Sequence, residues 1–402
     1  MNATLLFVDD DSMVLNALER TFFEAEFTTF FTQSAIDAYD ILEKNTVDLV
    51  VSDIRMLPVS GADFLREVKK RYPNTIRIVL SAYGDRNMMV KVICEGLAQV
   101  YILKPWDNQK LISQISHLIS MHRNLMEIQK TIGTGIAYHL PVLPSLYTKM
   151  LVMIEEGKSL KEIAAIIETD PATTANILKL ANSSFFGLTI STVHQALVYL
   201  GVTSVKDIVL VSELFAETAD TENHDLRHQI NNHMVYTSKL LHGLHQHLLA
   251  SRIPEEFSVA GLLADIGRLF LLEYNPDKYR SALTRYIDGQ EIPLAELERM
   301  QLGFSHTQLG ALILDWWNLP VSLVEASLYH HDHPFKTEIL TEQLIKLIYI
   351  ADRYAWSSIE AIGPVTIEED ILSGFSITRD QLDEIVHSIT SRSDFVLNQL
   401  NS

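Results

Sequence analysis

The sequence predicts two dissimilar parts: an α/β, doubly wound domain with a parallel five-stranded sheet at the N-terminus, and an all-α remainder. Three observations carry this prediction. Short apolar runs at 4–8, 27–31, 47–52, 75–80 and 99–103 alternate with amphipathic stretches, as in a sheet covered by helices on both faces. From Asp107 onward Leu111, Ile112, Ile115, Leu118, Ile119, Met121, Leu125 and Ile128 recur at helical spacing to about Lys130. Beyond Leu143 no strand pattern persists, and amphipathic segments are punctuated by Gly157, Asp170-Pro171, Gly187, Gly201, Pro254, Pro276, Pro293, Pro320 and Pro334.

Taken in order, the first run ends in Asp9 and Asp10, and Asp11 or Ser12 is placed to cap the helix that follows. The run at 47–52 ends in Asp53, and the run at 99–103 ends in Lys104 before Pro105. In an open α/β sheet the groups just past the strand ends meet in one crevice. Three carboxylates would converge there with one ammonium. Like charges that close raise one another's pKa values, and a hard divalent cation with oxygen ligands removes the penalty. Mg²⁺ fits, and an ionised Asp beside it can attack phosphorus to form an aspartyl phosphate.

The helix from Asp107 begins as the last element of this domain and continues as a linker over 107–132. Gly133 and Gly135 break it, and Pro141 and Pro144 mark the next entry. The expected domains are therefore 1–122 and 133–402. Within the second, a front bundle is expected at about 140–215, a core at about 220–355, and further helices to 402.

Composition narrows the function. With 402 residues the chain can hold two or three domains, each with its own core. Lys+Arg 32 against Asp+Glu 51 leaves a net charge of −19, which disfavours nonspecific contact with nucleic acid. The single cysteine, Cys94, allows no internal disulfide and suits a reducing cytoplasm. No apolar run approaches the roughly 20 residues of a membrane span, and the start lacks a basic leader region, so a soluble cytoplasmic protein with no membrane partner is expected.

The motifs of the first part resemble the response-regulator receiver domain over roughly residues 1–125. FVDDDS supplies Asp9 and Asp10, SDIRM supplies Asp53, VLSAYG supplies Ser81, and YILKPW supplies Tyr101, Lys104 and Pro105. The resemblance implies a flavodoxin-like sheet, Mg²⁺ held by Asp9, Asp10 and Asp53, and phosphorylation of Asp53 by a sensor histidine kinase or phosphotransfer protein. Ser81, Tyr101 and Lys104 would form the switch. One departure is local: Met56 is followed by Leu57, with Pro58 one place later than the family's Met-Pro, while Gly61 still stands where the turn glycine belongs.

In the second part, SLKEIAAIIETDPATTANILKLANSS has the outline of a helix-turn-helix, with Ser159 as cap and Ile163, Ile166 and Ile167 facing a core. Its second helix offers only Lys179 as a cation, where phosphate contacts need several. A fuller set of segments resembles the HDOD family, which is related to the HD metal-dependent phosphohydrolases. These are LPVLPSLYTKML, IIETDPATTANILKLANSSFFG, ALVYLGVTSVKDIVL, GLLADIGRLFL and WWNLPVSLVEASLYHH, spanning roughly 135–350. The resemblance implies an all-α, HD-related helical domain acting as a regulatory module without catalysis.

Placed by that kinship, the remnants of an HD metal site are His233, Asp265, His306, His330, His331 and Asp352, with Ala264 where the superfamily's histidine belongs. A methyl group cannot ligate, and loss of one ligand weakens a site sharply, so no metal and no enzyme activity are expected in this half. His242 and His245 could share a helix face, but they lack acidic partners nearby and read as a solvated, pH-responsive face. The expected function is a two-component response regulator whose Asp53 switches a non-catalytic HDOD domain that signals to a downstream protein. The stripe at 107–130 also suggests a homodimer. The alternative is a residual HD-type phosphodiesterase or a regulator of cyclic di-GMP enzymes, although no Gly-Tyr-Pro follows His330-His331. A DNA-binding regulator is the weaker third reading.

Overall fold

A computed structural model of the chain describes residues 3–81, 97–132, 145–170, 173–174, 177–178, 191–214, 223–254, 257–288, 292–317, 319–332, 341–360 and 365–391. The chain divides into two compact units, one built mainly from Met1–Glu127 and the other mainly from the rest. Among the described residues no helix is long and apolar enough to cross a membrane.

The first unit contains five parallel strands, β1 (Ala3–Val8), β2 (Phe27–Thr32), β3 (Leu49–Ser52), β4 (Ile76–Ser81) and β5 (Val100–Leu103), in the order β2-β1-β3-β4-β5. The strand order reverses direction at β1, so β1 and β3 leave a crevice between their C-terminal ends. The predicted runs all become strands, with one instructive change: β3 starts at Leu49, two residues after Val47. Asp48 is spent at the strand entrance, where its Oδ2 accepts from the Thr4 N–H at 2.7 Å.

Both faces are covered, which is why β1, β3 and β4 are apolar along nearly their whole length. Phe7 stacks on Phe31 and meets Phe22 on one side. On the other side Leu6, Val8, Val50, Phe64 and Leu65 share a core. Helix α1 (Ser12–Phe22) is capped by Asp11, whose side chain accepts from Met13 N, and α2 (Ala35–Lys44) is capped by Ser34. Ser60 caps α3 (Gly61–Arg71), and α4 (Asn108–Ile132) follows β5.

In α4 the predicted stripe is buried at Leu111, Ile115, Leu118, Ile119, Met121, Leu125 and Ile128, with Ile112 half-buried. The stripe is thus already covered within a single chain and supplies no argument for a dimer.

The second unit is helical throughout its described residues. It comprises α5 (Ser145–Glu155), α6 (Leu160–Ile167), α7 (Val193–Leu214), α8 (His224–Leu248), α9 (Ala260–Leu263), α10 (Ile266–Tyr274), α11 (Pro276–Ile287), α12 (Leu294–Leu302), α13 (His306–Trp316), α14 (Val321–Tyr329), α15 (Glu342–Glu360), α16 (Glu369–Gly374) and α17 (Arg379–Ser391). Helix α7 is broken at Gly201. Ser159 caps α6 through a capping box with Glu162; Ile163 and Ile167 are buried and Ile166 is half-buried. Most of the second helix of the suspected helix-turn-helix, with Lys179, lies outside the described residues.

Helix α8 packs along α15, and α10 packs against α13. The latter crossing is close enough to demand a glycine: a Cβ on Gly267 would stand 2.0 Å from the His306 carbonyl oxygen.

Candidate functional site

In the first unit the strand ends bring the predicted residues together. Asp9 follows β1, Asp53 follows β3, and Lys104 follows β5. The Lys104 ammonium lies 2.6 Å from Asp9 Oδ2 and 2.6 Å from Asp53 Oδ1. The remaining oxygens are held by backbone: Asp11 N–H donates to Asp9 Oδ1 at 3.0 Å and Arg55 N–H to Asp53 Oδ2 at 2.6 Å. Asp9 and Asp53 are buried, whereas Asp10 is exposed at the rim.

Burial pushes the Asp9 carboxyl above the usual range even though Lys104 pulls the other way. Burial works against the Lys104 charge, but its hydrogen bonds to Asp53 and Asp9 prevail and raise it above an ordinary lysine. Oxygen-only donors around a locus that already demands a cation fit Mg²⁺.

Ser81 ends β4 fully buried, and its carbonyl accepts from the Lys104 N–H at 2.8 Å, which locks the β4 and β5 ends together. Tyr101 lies in β5, and its side chain is outside the described residues. Gly61 starts α3 directly against the Asp53–Ile54 backbone, where an added Cβ would meet the Asp53 carbonyl oxygen at 1.8 Å. The extra residue before Pro58 leaves Leu57 exposed and does not disturb the Asp53 carboxylate contacts.

In the second unit all six HD-site positions converge. His233 comes from the middle of α8, Asp265 from the joint between α9 and α10, and His306 from the first turn of α13. His330 and His331 follow α14, and Asp352 stands on α15. His233 Nε2 lies 3.0 Å from Asp265 Oδ2 and 2.8 Å from Asp352 Oδ1. His306 Nε2 and His330 Nε2 approach Asp265 Oδ1 at 3.4 and 3.6 Å. The His330 and His331 rings are 4.0 Å apart, and His331 Nδ1 is 3.5 Å from Asp352 Oδ2.

Burial opposes charge on Asp265, yet His233, His330 and Arg268 hold its carboxyl well below the usual range. His233 is likewise opposed by burial but is raised by Asp265 and Asp352. Burial, reinforced by His330 and His306, holds His331 well below an ordinary histidine.

Beside this cluster a cavity of about 160 Å³ is lined by Tyr286, Leu294, His331, Asp352, Arg353 and Trp356 among others. Arg268 lies over Trp356, its guanidinium carbon 4.0 Å from the ring centroid.

One participant was not legible in the sequence. Glu298 on α12 is fully buried, and its Oε2 accepts from the His306 backbone N–H at 2.7 Å and meets His306 Nδ1 at 2.6 Å. The left-handed Gly303 turn lets the chain return from α12 to α13 and brings the two together. Nothing in local spacing marks that pair.

The solvated reading of His242 and His245 is corrected. His242 Nε2 bonds Ser258 O at 2.8 Å and His245 Nδ1 bonds Ser251 O at 2.9 Å, with His245 buried and His242 half-buried. These rings tie α8 to the segment after it, and burial lowers the His242 pKa.

Comparison with known proteins agrees with both units. Residues 5–116 match the family model of the response regulator receiver domain, and residues 140–333 match that of the HDOD domain. Over 134 residues the chain is 35% identical to the hydrogenase transcriptional regulatory protein HoxA of Cupriavidus necator, covering 32% of this chain and 28% of that protein. It is 30% identical to the DNA-binding transcriptional regulator NtrC of Escherichia coli over 29% of this chain and 24% of that protein. The chain thus spans about a quarter of the length of these curated relatives.

Among solved structures, the receiver domain of an HD domain-containing protein from Pseudomonas fluorescens Pf-5 is 28% identical, covering 31% of this chain and 98% of its own, with a TM-score of 0.30. An HDOD domain protein from Geobacter sulfurreducens is 19% identical, covering 69% of this chain and 95% of its own, with a TM-score of 0.49. The chain is a response regulator that joins an N-terminal receiver domain to a C-terminal HDOD domain.

Proposed function

We propose that Asp53 accepts a phosphoryl group from a sensor histidine kinase or a phosphotransfer protein, and that the HDOD domain relays this state to a downstream protein by contact and not by chemistry. The observation that carries the reading is the single ammonium, Lys104, bonded at 2.6 Å to both Asp9 and Asp53. That arrangement places a cation against the Asp53 carboxylate, where new phosphoryl oxygens would arrive.

In the transfer, an Asp53 carboxylate oxygen attacks phosphorus and the P–N bond to the donor imidazole breaks. The electron pair stays on that nitrogen, which takes up a proton. Asp9, Asp10 and Asp53 would hold Mg²⁺, which when bound supplies positive charge against the phosphoryl oxygens.

Phosphorylation adds charge and three strong acceptors beside Lys104. Lys104 then exchanges its bond to Asp53 for one to the phosphoryl group, and the Ser81 hydroxyl at the end of β4 is the neutral donor within the same row of strand ends. Because Lys104 N–H is tied to Ser81 O, the two respond together. Tyr101 on β5 is the reporter of that change, and α4 begins directly after it.

Acetyl phosphate with Mg²⁺ should label the full-length protein, and Asp53→Asn should abolish the label. An acid-stable label that persists in Asp53→Asn would sink the assignment.

A further inference from the structure

Three buried ligand atoms, Asp265 Oδ1, His306 Nε2 and His330 Nε2, face one another inside the HDOD domain, the two nitrogens 3.4 and 3.6 Å from the carboxylate oxygen. His330 Nδ1 lies 3.1 Å from Ala326 O and 2.9 Å from Ser327 O. Carbonyl oxygens only accept, so the His330 proton sits on Nδ1. Glu298 Oε2 already accepts the His306 backbone N–H and is 2.6 Å from His306 Nδ1, which places that ring's proton on Nδ1 as well.

Both rings are therefore anchored through Nδ1 and turn Nε2 inward, 3.4 and 3.6 Å from Asp265 Oδ1. All three atoms are buried without a hydrogen-bond partner. Leaving such groups uncompensated costs free energy, and a cation compensates all three at once.

The spacing is that of ligands on one ion. Donor atoms about 2.0–2.1 Å from a tetrahedral metal stand roughly 3.3–3.4 Å apart, close to the separations found here. His331 completes a group of four residues whose ligand atoms all lie within 4.8 Å of one another.

The other side of Asp265 differs. There His233 Nε2 lies between Asp265 Oδ2 and Asp352 Oδ1, both acceptors, so its N–H is the donor that satisfies them. Ala264 adds no ligand atom on the chain beside Asp265. That side is closed by a hydrogen bond, whereas the first side is open to a cation.

We propose that the HDOD domain binds one divalent transition-metal ion, and not a pair, through Asp265, His306, His330 and His331. Three imidazoles and one carboxylate suit Zn²⁺, Fe²⁺ or Co²⁺ and disfavour Mg²⁺ and Ca²⁺. Glu298 is the positioning residue, since its carboxylate fixes the tautomer and tilt of His306. The ion would pin together α10, α13 and the end of α14, independently of events at Asp53.

The test uses chelator-stripped full-length protein, with millimolar Mg²⁺ present to saturate the oxygen ligands of the receiver. Co²⁺ is titrated while its visible absorption is followed, and bound Zn²⁺ is counted by elemental analysis. One equivalent is expected, with a rise in thermal stability. His306→Gln and His330→Gln should lose the ion, and Glu298→Gln should weaken binding roughly 10- to 100-fold. His242→Gln should keep it.

Far-UV circular dichroism checks that each variant is folded, and the wild-type stoichiometry decides the matter if a histidine variant is not. No bound ion in the wild type, two equivalents, or unchanged binding in folded His306→Gln and His330→Gln would each overturn the proposal.

Discussion

Substituting Gly61 by Ala tests how tightly the receiver's backbone fixes Asp53. The new Cβ would stand 1.8 Å from the Asp53 carbonyl oxygen, 2.8 Å from the Asp53 carbonyl carbon and 2.9 Å from Ile54 Cα. All three obstacles are backbone, so no side chain can swing aside. An ordinary contact is about 3.5 Å, so either the Asp53–Ile54 segment or the start of α3 must retreat by well over an ångström.

The Gly61 N–H to Ile54 O bond of 2.9 Å resists that movement. Overpacking of this kind costs about 1–3 kcal/mol, which corresponds to roughly a five- to hundredfold rise in local opening. Displacing a reacting group by an ångström costs up to about a hundredfold in rate. Gly61→Ala should therefore increase hydrogen exchange in β1 and β3, read by mass spectrometry, and slow acetyl-phosphate labelling of Asp53 by at least about tenfold. Wild-type exchange together with wild-type labelling would refute the reasoning.

Two further outcomes are expected. Ser305→Ala removes the cap of α13, where Ser305 accepts from Gln308 N, and should destabilise the HDOD domain by about 0.5–2 kcal/mol in a denaturant titration. It should also loosen His306, the next residue.

Asp383, bonded to Tyr354 and Arg379, is held below its ordinary value of 3.8 despite some burial. A depressed carboxyl contributes stability that is present above pH 3.8 and lost as pH falls through the depressed value. Asp383→Asn should therefore flatten the acid limb of the melting profile. The effect should stay below about 1 kcal/mol because the side chain is half exposed. An unchanged acid limb would remove Asp383 from that role.

How much could be read without coordinates depended on range. Asp9, Asp53 and Lys104 were legible because each follows an apolar run, and parallel strands deliver their C-terminal ends to one edge. Asp11 as a cap and the buried stripe of α4 were legible for the same local reason. Asp48 was misassigned to the strand itself, because an aspartate inside an apolar run gives no sign that its carboxylate will accept a neighbouring strand's N–H. His242 and His245 were read as solvated, since their partners, the Ser258 and Ser251 carbonyls, belong to a later segment and carry no side-chain signature.

The sequence by itself determined the parallel sheet, the helical second half and the meeting of Asp9, Asp53 and Lys104 at the strand ends, because hydrophobic period and strand-end position are properties of a few consecutive residues. Only the tertiary structure decided that His233, Asp265, His306, His330, His331 and Asp352 still meet despite Ala264, since they come from separate elements that meet only through helix packing. It alone decided which ring nitrogen of His306 and His330 faces inward. A tautomer is set by the acceptor on the far side of the ring, here Glu298 and the carbonyls of α14, and such an acceptor is found only by folding the chain.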